Sequence, residues 1–396
     1  YLAAGTYGDG GTTTFSTAVS GTTLITFQKA TVADHGTSVG WDDAYASGAA
    51  QWINNARWEV TSSYWVFDGV TGTGTGARGF YFKQTNATAT QSFGFIRVGN
   101  GSGLTLSNLT FRRIEIDGID VEQGALSRSV YSGNDTISAI TWSYVYIHDV
   151  ALPMLIRNWS TFVLEYSTFA RNRSTPSAHS EGISTHGGNG HIYRYNVFED
   201  IEGTAVLAHL DLTTYNWEVY GNLFIGSGSA NFSGTSNGSV ASSSHATSRN
   251  IVGLKGYNNT FYNYNPTGAL NSGFGALSSV DSGWDVQNNL WVHCTVGSVR
   301  FPSVATGTHD YNTLLGCTQS SGTVQGANET VAADSDPFTN SAARDFTLLA
   351  ATGAGATLAA SYTTDPLGKT RGADLVWDRG AYEYVTLYVI TASAGA

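Results

Sequence analysis

The stretch YNVFEDI at residues 195–201 is one copy of a short pattern that recurs along this chain. In each copy a small polar residue, most often Asn, stands two places before Phe, Trp or Leu. The other copies are YSTFARN (166–172), GNLFIGS (221–227), NNTFYNY (258–264), NNLWVHC (288–294) and YNTLLGC (311–317). Their large residues recur at steps of 23 to 37 residues, a spacing typical of repeats that stack into a solenoid.

The repeat predicts stacked strands rather than helices or propeller blades. A helical solenoid needs amphipathic helices, which the sequence does not show, and a propeller blade needs four strands and a longer period. We therefore predict an all-β, single-stranded parallel β-helix with two or three short strands per coil. The large residues would stack inside. An amide ladder at one corner would join Asn196, Asn222, Asn259, Asn289 and Asn312.

The composition supports a β-rich protein and narrows its partners. Only 12% of the 396 residues are charged, 12% are aromatic and 47 are glycine, which favours strands and turns around a long core. The net charge of −11 argues against nucleic acid or an anionic membrane as a general partner. No apolar run is long enough for membrane insertion. The low Lys content fits a secreted or surface-displayed protein.

The two cysteines occupy equivalent places in consecutive copies of the repeat. Cys294 and Cys317 each end a copy, so their strands would lie about 4.8 Å apart. That separation permits a disulfide, which an oxidising compartment would favour. The alternative is a pair of buried, unreacted thiols.

The C-terminal region resembles that of secreted right-handed parallel β-helix proteins of bacteria, many of which act on polysaccharides. DPLGKTRGADLVWDRGAYEY (365–384) is similar to their closing signature. The resemblance implies a right-handed β-helix over 1–384, with N-terminal covering coils in 1–60, regular coils in 61–330 and a closing region in 331–384. Residues 385–396 resemble the opening of a bacterial cell-surface repeat module, so they would form a linker or the start of that module.

The central coils resemble polysaccharide lyases of the chondroitinase B and alginate lyase type. The similar stretch runs from SEGISTHGGNGHIYRYNVFED (180–200) to WEVYGNLF (217–224). The resemblance implies that Glu181 helps to hold a calcium ion, that His186 takes the place of the family's lysine base, and that His209 matches a family histidine. Ala208 stands where the family has its catalytic arginine, so both catalytic cations of the family are missing.

A lyase must neutralise a uronate carboxylate and remove a proton, which requires a cation beside a base. We expect a catalytic group from Glu181, His186, His209 and His179, with His186 as the base. Cations in neighbouring coils would bind the substrate, namely Arg171, Arg173, Arg194 and Lys255. A transition-metal site formed by His179, Glu181 and His186 is a further alternative.

Two other readings stay open. A glycosidase would use two carboxylates across a groove, drawn from Glu181, Glu199, Asp200, Glu202 and Asp211. A non-catalytic structural or adhesive module, such as a fibre element, would explain the missing cations and could self-assemble through the solenoid ends. The sequence favours cleavage of an acidic polysaccharide, by β-elimination or hydrolysis, by a secreted or surface-displayed bacterial protein.

Overall fold

The fold is that of a computed structural model, which describes most of the chain in detail. The described residues are 1–18, 21–34, 39–54, 56–85, 94–119, 128–174, 180–209, 212–228, 239–242, 250–264, 272–275, 280–294, 298–300, 306–319 and 326–385. His179 and Asp211 lie outside them, as does nearly all of the predicted linker.

The chain winds into a parallel β-helix with three faces, which confirms the predicted fold class. Each coil contributes up to three strands, and each strand pairs in parallel with its equivalent in the next coil. We name the faces A, B and C in the order in which each coil passes through them. The alternation of inward and outward side chains along every strand then places the core inside and the polar groups outside.

Face A is one parallel sheet of 12 strands. In chain order these are β1 (Gly5–Asp9), β4 (Ala50–Ile53), β7 (Phe80–Lys83), β10 (Ile114–Asp117), β13 (Tyr146–His148), β15 (Thr168–Asn172), β18 (Val197–Ile201), β21 (Leu223–Ile225), β24 (Thr260–Tyr262), β27 (Leu290–Val292), β30 (Thr313–Leu315) and β32 (Thr330–Ala332).

Face B follows face A in each coil and contains the first half of β14. Its strands are β2 (Thr12–Phe15), β5 (Arg57–Val60), β8 (Ile96–Val98), β11 (Arg128–Ser132), β14 (Leu152–Glu165), β16 (Ile183–Asn189), β19 (Val206–Ala208), β22 (Val240–Ser242), β25 (Ser272–Gly275), β28 (Ser298–Arg300) and β31 (Thr318–Gln319).

Face C completes the coil and includes the second half of β14. Its other strands are β3 (Ile25–Gln28), β6 (Trp65–Asp68), β9 (Thr105–Arg112), β12 (Thr136–Ser143), β17 (Ile192–Arg194), β20 (Thr214–Tyr220), β23 (Ile251–Tyr257), β26 (Trp284–Gln287) and β29 (Gly307–Asp310). An antiparallel hairpin follows, formed by β33 (Phe338–Asn340) and β34 (Asp345–Leu348). Short 3-10 helices span Val32–Asp34, Asp43–Ala46, Ser341–Ala343 and Ala360–Tyr362.

The aromatic residues of the repeat stack inside, as predicted. The rings of Phe198, Phe224, Phe261 and Trp291 follow one another in consecutive coils, with centroids 4.6 to 5.2 Å apart, and all four are fully buried. Burial of each large side chain stabilises the fold by about 1.5–3 kcal/mol. The stack therefore joins successive coils along the length of the solenoid.

The predicted Asn ladder also forms. The backbone N–H of Asn196 donates to Oδ1 of Asn222 at 2.9 Å, and the same bond links Asn222 to Asn259 at 3.1 Å. Asn289 and Asn312 continue it at 2.9 Å each. All five side chains are buried, so the ladder satisfies backbone groups that the corner removes from the strand hydrogen bonds.

The C-terminal signature has a structural role. The Arg371 guanidinium lies 3.3 Å from Glu383, and both side chains are almost completely buried. Glu383 also accepts the N–H groups of Gly372 and Asp378. The N–H of Ala381 donates to the Thr260 hydroxyl, so these contacts fix the closing region against the coils.

Cys294 and Cys317 lie in consecutive coils, and the N–H of Cys294 donates to Sγ of Cys317 at 3.2 Å. Both are free thiols in the structure, so the expected disulfide is not formed in it.

Candidate functional site

Two of the predicted catalytic histidines, His186 and His209, lie on the outer surface of face B. Strand register places His186 of β16 directly beside Arg157 of β14. The ring of His209, one coil further on, meets the ring of His186 edge to face, with centroids 5.6 Å apart. His186 and His209 are therefore neighbours in adjacent coils, and the nearest cation to His186 by register is Arg157.

Glu181 lies just before β16 and is 8% exposed. The chain bends at Gly182, where an added Cβ would come 2.6 Å from the Ala205 carbonyl oxygen. Within β16, Ser184 and His186 share the outer side, with Ser184 Oγ 3.5 Å from His186 Nε2. His179 falls outside the described residues.

The predicted substrate-binding cations are divided between faces. Arg194 and Lys255 lie on face C, where they bind the carboxylates of Glu165 and Glu218 at 2.5 and 3.3 Å. Arg171 lies on face A, and Arg173 follows β15 at the end of the same face. The structure therefore does not bring Arg171, Arg194 and Lys255 together with His186, and their binding of the substrate stays a prediction. Their strands belong to other faces of the coil.

A polar cluster on the outer surface of face A was not anticipated from the sequence. We call it the His148 cluster, and it joins residues of β10, β13 and β15 in three consecutive coils. Its members are Glu115, Asp117, Tyr146, His148, Asp149 and Arg171. Register pairs Asp117 with His148, and His148 with Ala170, immediately before Arg171.

His148 is at the centre of this cluster. Its Nδ1 lies 2.6 Å from Oδ2 of Asp149, and its Nε2 lies 3.4 Å from Oε1 of Glu115. The imidazole stacks on the Tyr146 ring with centroids 4.1 Å apart. Burial opposes a positive charge, but the hydrogen bonds to Asp149 and Glu115 outweigh it and raise the pKa of His148. The protonated ring can donate to both carboxylates at once.

Arg171 ties the cluster to the next coil. Its Nε and Nη2 donate to the two oxygens of Asp149 at 2.8 and 2.5 Å, and Nη1 and Nη2 each lie 3.3 Å from the Tyr146 hydroxyl. Burial alone would raise the pKa of Asp149, yet the hydrogen bonds from His148 and Arg171 lower it to about 2. Asp149 is therefore ionised at any ordinary pH.

Glu199 lies one coil beyond Arg171 on the same face and has the opposite electrostatic character. Register pairs it with Ala170 on one side and Ile225 on the other. Burial raises the pKa of Glu199, and the negative charge of Asp200 adds to the rise. Arg344, between the two strands of the C-terminal hairpin, contacts Glu199 at 2.5 Å, and its positive charge partly opposes this rise in pKa.

Asp117, His148 and Asp149 could also hold a metal ion, because one ligand atom from each lies within 4.8 Å of the others. Calcium prefers six to eight oxygen ligands. Here one of the three ligand atoms is a histidine nitrogen, and two positively charged side chains lie beside the two carboxylates. Lys83 lies 3.8 Å from Asp117, and Arg171 contacts Asp149. Glu181, the predicted calcium ligand, is not part of this group.

The sequence contained one signal for the His148 cluster. Asp149 comes directly after β13, and Arg171 and Asp200 each stand one residue before the end of a face A strand. All three adopt positive φ values of 53° to 56°, which non-glycine residues rarely take. Polar residues at such corners align in consecutive coils. The looser repeat copy SYVYIHD (143–149) holds both His148 and Asp149.

A scan against models of known protein families finds no match, and a comparison with curated proteins finds none either. The resemblance to polysaccharide lyases therefore stays a prediction. Among the residues that the structure describes, no helix is long and apolar enough to cross a membrane.

Proposed function

We propose that this parallel β-helix is a secreted enzyme that hydrolyses an acidic polysaccharide, with its reaction centre on face A. The observation that supports this most directly is the contrast between Asp149, whose pKa is lowered to about 2, and Glu199, whose pKa is raised. Two carboxyl groups with opposed pKa shifts are the arrangement that separates a base from an acid.

In the proposed reaction Glu199 is the proton donor and Asp149 the base. Glu199 gives its proton to the glycosidic oxygen while the bond from that oxygen to the anomeric carbon breaks. A water molecule adds to the anomeric carbon, and Asp149 takes the proton that this water loses. Arg171, which lies between the two carboxyl groups in the coil order, supplies positive charge for a uronate carboxylate.

The register supports an inverting reaction. Asp149 and Glu199 are two coils apart, so their backbones are separated by roughly 10 Å, from two strand spacings of about 4.8 Å. Inverting enzymes hold their carboxyl groups about 6.5–9.5 Å apart, and retaining enzymes hold them at about 5 Å. If the two side chains point towards one another, the distance between their carboxyl groups falls within the inverting range.

A second candidate is β-elimination on face B. It is favoured by the register pairing of His186 with Arg157 and by the contact between His186 and His209. There a neutral imidazole would remove the proton, and Arg157 would bind the uronate. The non-catalytic module is the third alternative.

The test is cleavage of alginate, pectate and chondroitin sulfate. A reducing-end assay monitors the cleavage, and ultraviolet absorbance monitors the formation of unsaturated ends. We expect new reducing ends without ultraviolet absorbance. The rate at which they form should fall by about 10²–10⁴-fold in Asp149→Asn and in Glu199→Gln. Absorbance that disappears in His186→Ala would instead establish the lyase. No product on any substrate from the folded protein would favour the structural module.

A further inference from the structure

A cavity of about 210 Å³ opens beside face A, between its coils and the C-terminal hairpin. Its floor comes from Ile225 of β21 and Tyr262 of β24. Its wall comes from Phe346 of β34 and from Ser341 and Ala342 of the last but one 3-10 helix. The rings of Tyr262 and Phe346 meet edge to face, with centroids 5.1 Å apart. The cavity is therefore built by two distant parts of the chain that the fold brings together.

The cavity continues the row of outward side chains that contains the proposed acid. Register runs from Glu199 to Ile225 in the next coil, and from Ile225 to Tyr262 in the coil after that. At about 4.8 Å per coil, the cavity begins within roughly 5–10 Å of Glu199. A polymer chain laid along face A at Asp149 and Glu199 would reach it.

The lining suits an acidic sugar. Arg344 lines the cavity and contacts Glu199, while its side chain stays 44% exposed. A guanidinium offers five N–H donors, so one that contacts Glu199 still has donors for a ligand carboxylate. Asn263 and Ser227 add polar groups, and Tyr262 adds an aromatic edge. This mixture of aromatic and polar groups is typical of small-ligand sites.

We propose that this cavity is a binding subsite for a second uronic acid unit of the polysaccharide, with Arg344 as the partner of its carboxylate. The inference rests on the proposed function, because the subsite would bind the same polysaccharide that is cleaved on face A. Binding there holds the polymer in register with Glu199, so long substrates gain affinity that a disaccharide does not.

The test uses Ala342→Trp, which puts an indole into the cavity from an exposed position on the 3-10 helix. Ala343→Trp is the matched control, because Ala343 is exposed on the same helix but does not line the cavity. Calorimetric binding of alginate and pectate hexasaccharides is measured with Asp149→Asn as the background, which prevents turnover under the proposed function. We expect Ala342→Trp to weaken hexasaccharide binding at least about tenfold, and Ala343→Trp to change it less than about twofold.

The outcomes separate the two proposals. Equal binding by both Trp variants would overturn the subsite, even if the wild-type protein cleaves the polymer. Binding lost only in Ala342→Trp, by a protein that cleaves nothing, would support the subsite and overturn the hydrolase. Tight binding of neutral cello-hexaose, unaffected by Arg344→Gln, would overturn the assignment to an acidic sugar.

Discussion

The guanidinium of Arg171 binds Asp149 of the preceding coil through both carboxylate oxygens, at 2.8 and 2.5 Å. The same carboxylate accepts from His148 at 2.6 Å. One carboxylate thus joins two consecutive coils of face A. Such an ion pair is worth more than a solvated surface pair, because Asp149 is only 21% exposed.

The first prediction concerns stability in acid. The pKa of Asp149 is lowered to about 2 in the folded protein, below its ordinary value of 3.8. Its contribution is therefore complete above about pH 5 and is lost as pH falls through about 2, by about 1–2 kcal/mol. Urea unfolding of Asp149→Asn should show less loss of stability over this pH window than the wild type. An identical slope for Asp149→Asn and the wild type would contradict the prediction.

The second prediction concerns the pH dependence of cleavage. Glu199 must carry a proton, and its pKa is raised, so kcat should fall as pH rises through that raised value. Asp149 remains ionised down to about pH 2, so no acid limb should appear while the protein is folded. Removing the charge in Arg344→Gln should raise the pKa of Glu199 further and move the alkaline limb to higher pH. If the alkaline limb of this profile moves to lower pH or does not move, Glu199 is excluded as the acid.

The third prediction separates the two faces. His186→Ala should leave the rate of hydrolysis within about twofold of the wild type, because His186 lies on face B and the proposed centre lies on face A. His148→Gln should lower the rate because Asp149 loses its hydrogen bond from His148. The pH profile of the rate should change, whereas the affinity for the polysaccharide should not. Rates are measured on the same polysaccharide for both variants. A severe loss in His186→Ala with a normal His148→Gln variant would move the centre to face B.

The fourth prediction concerns the Asn ladder. The side-chain amide of Asn222 donates to the carbonyl oxygen of Tyr193 at 2.8 Å and to Oδ1 of Asn259 at 3.0 Å. Asn222→Ala leaves buried groups without these partners, and we expect a loss of about 2–4 kcal/mol in the free energy of unfolding. Asn189→Ala, at an exposed position, should cost under about 0.5 kcal/mol. Equal stability of the two variants in urea unfolding would contradict this role.

The fifth prediction concerns the thiols. Cys294 and Cys317 are free in the structure but lie in consecutive coils. The usual strand spacing of about 4.8 Å permits a disulfide between such positions. We expect a mild oxidant to remove both thiols from a titration of the unfolded protein and to raise its thermal midpoint. Cys317→Ser should abolish the effect. If both thiols can still be titrated after treatment with the oxidant, the disulfide does not form and the prediction is contradicted.

The repeat in the sequence was sufficient to predict the coil. The spacing of Phe198, Phe224 and Phe261 fixed the β-helix, and the residues two places earlier fixed the Asn ladder, because both are local patterns that repeat with the backbone. The inward and outward alternation of each copy follows from strand geometry alone.

Which outward side chains meet depends on the three-dimensional arrangement of the coils. Insertions of different length separate the faces, so distance along the chain does not show on which face a residue lies. Arg171 is 15 residues from His186 but lies on another face, whereas it contacts Asp149 across a full coil. Arg344 reaches Glu199 only because the closing region folds back over face A. These contacts depend on coil register and on chain reversal, which no local repeat encodes.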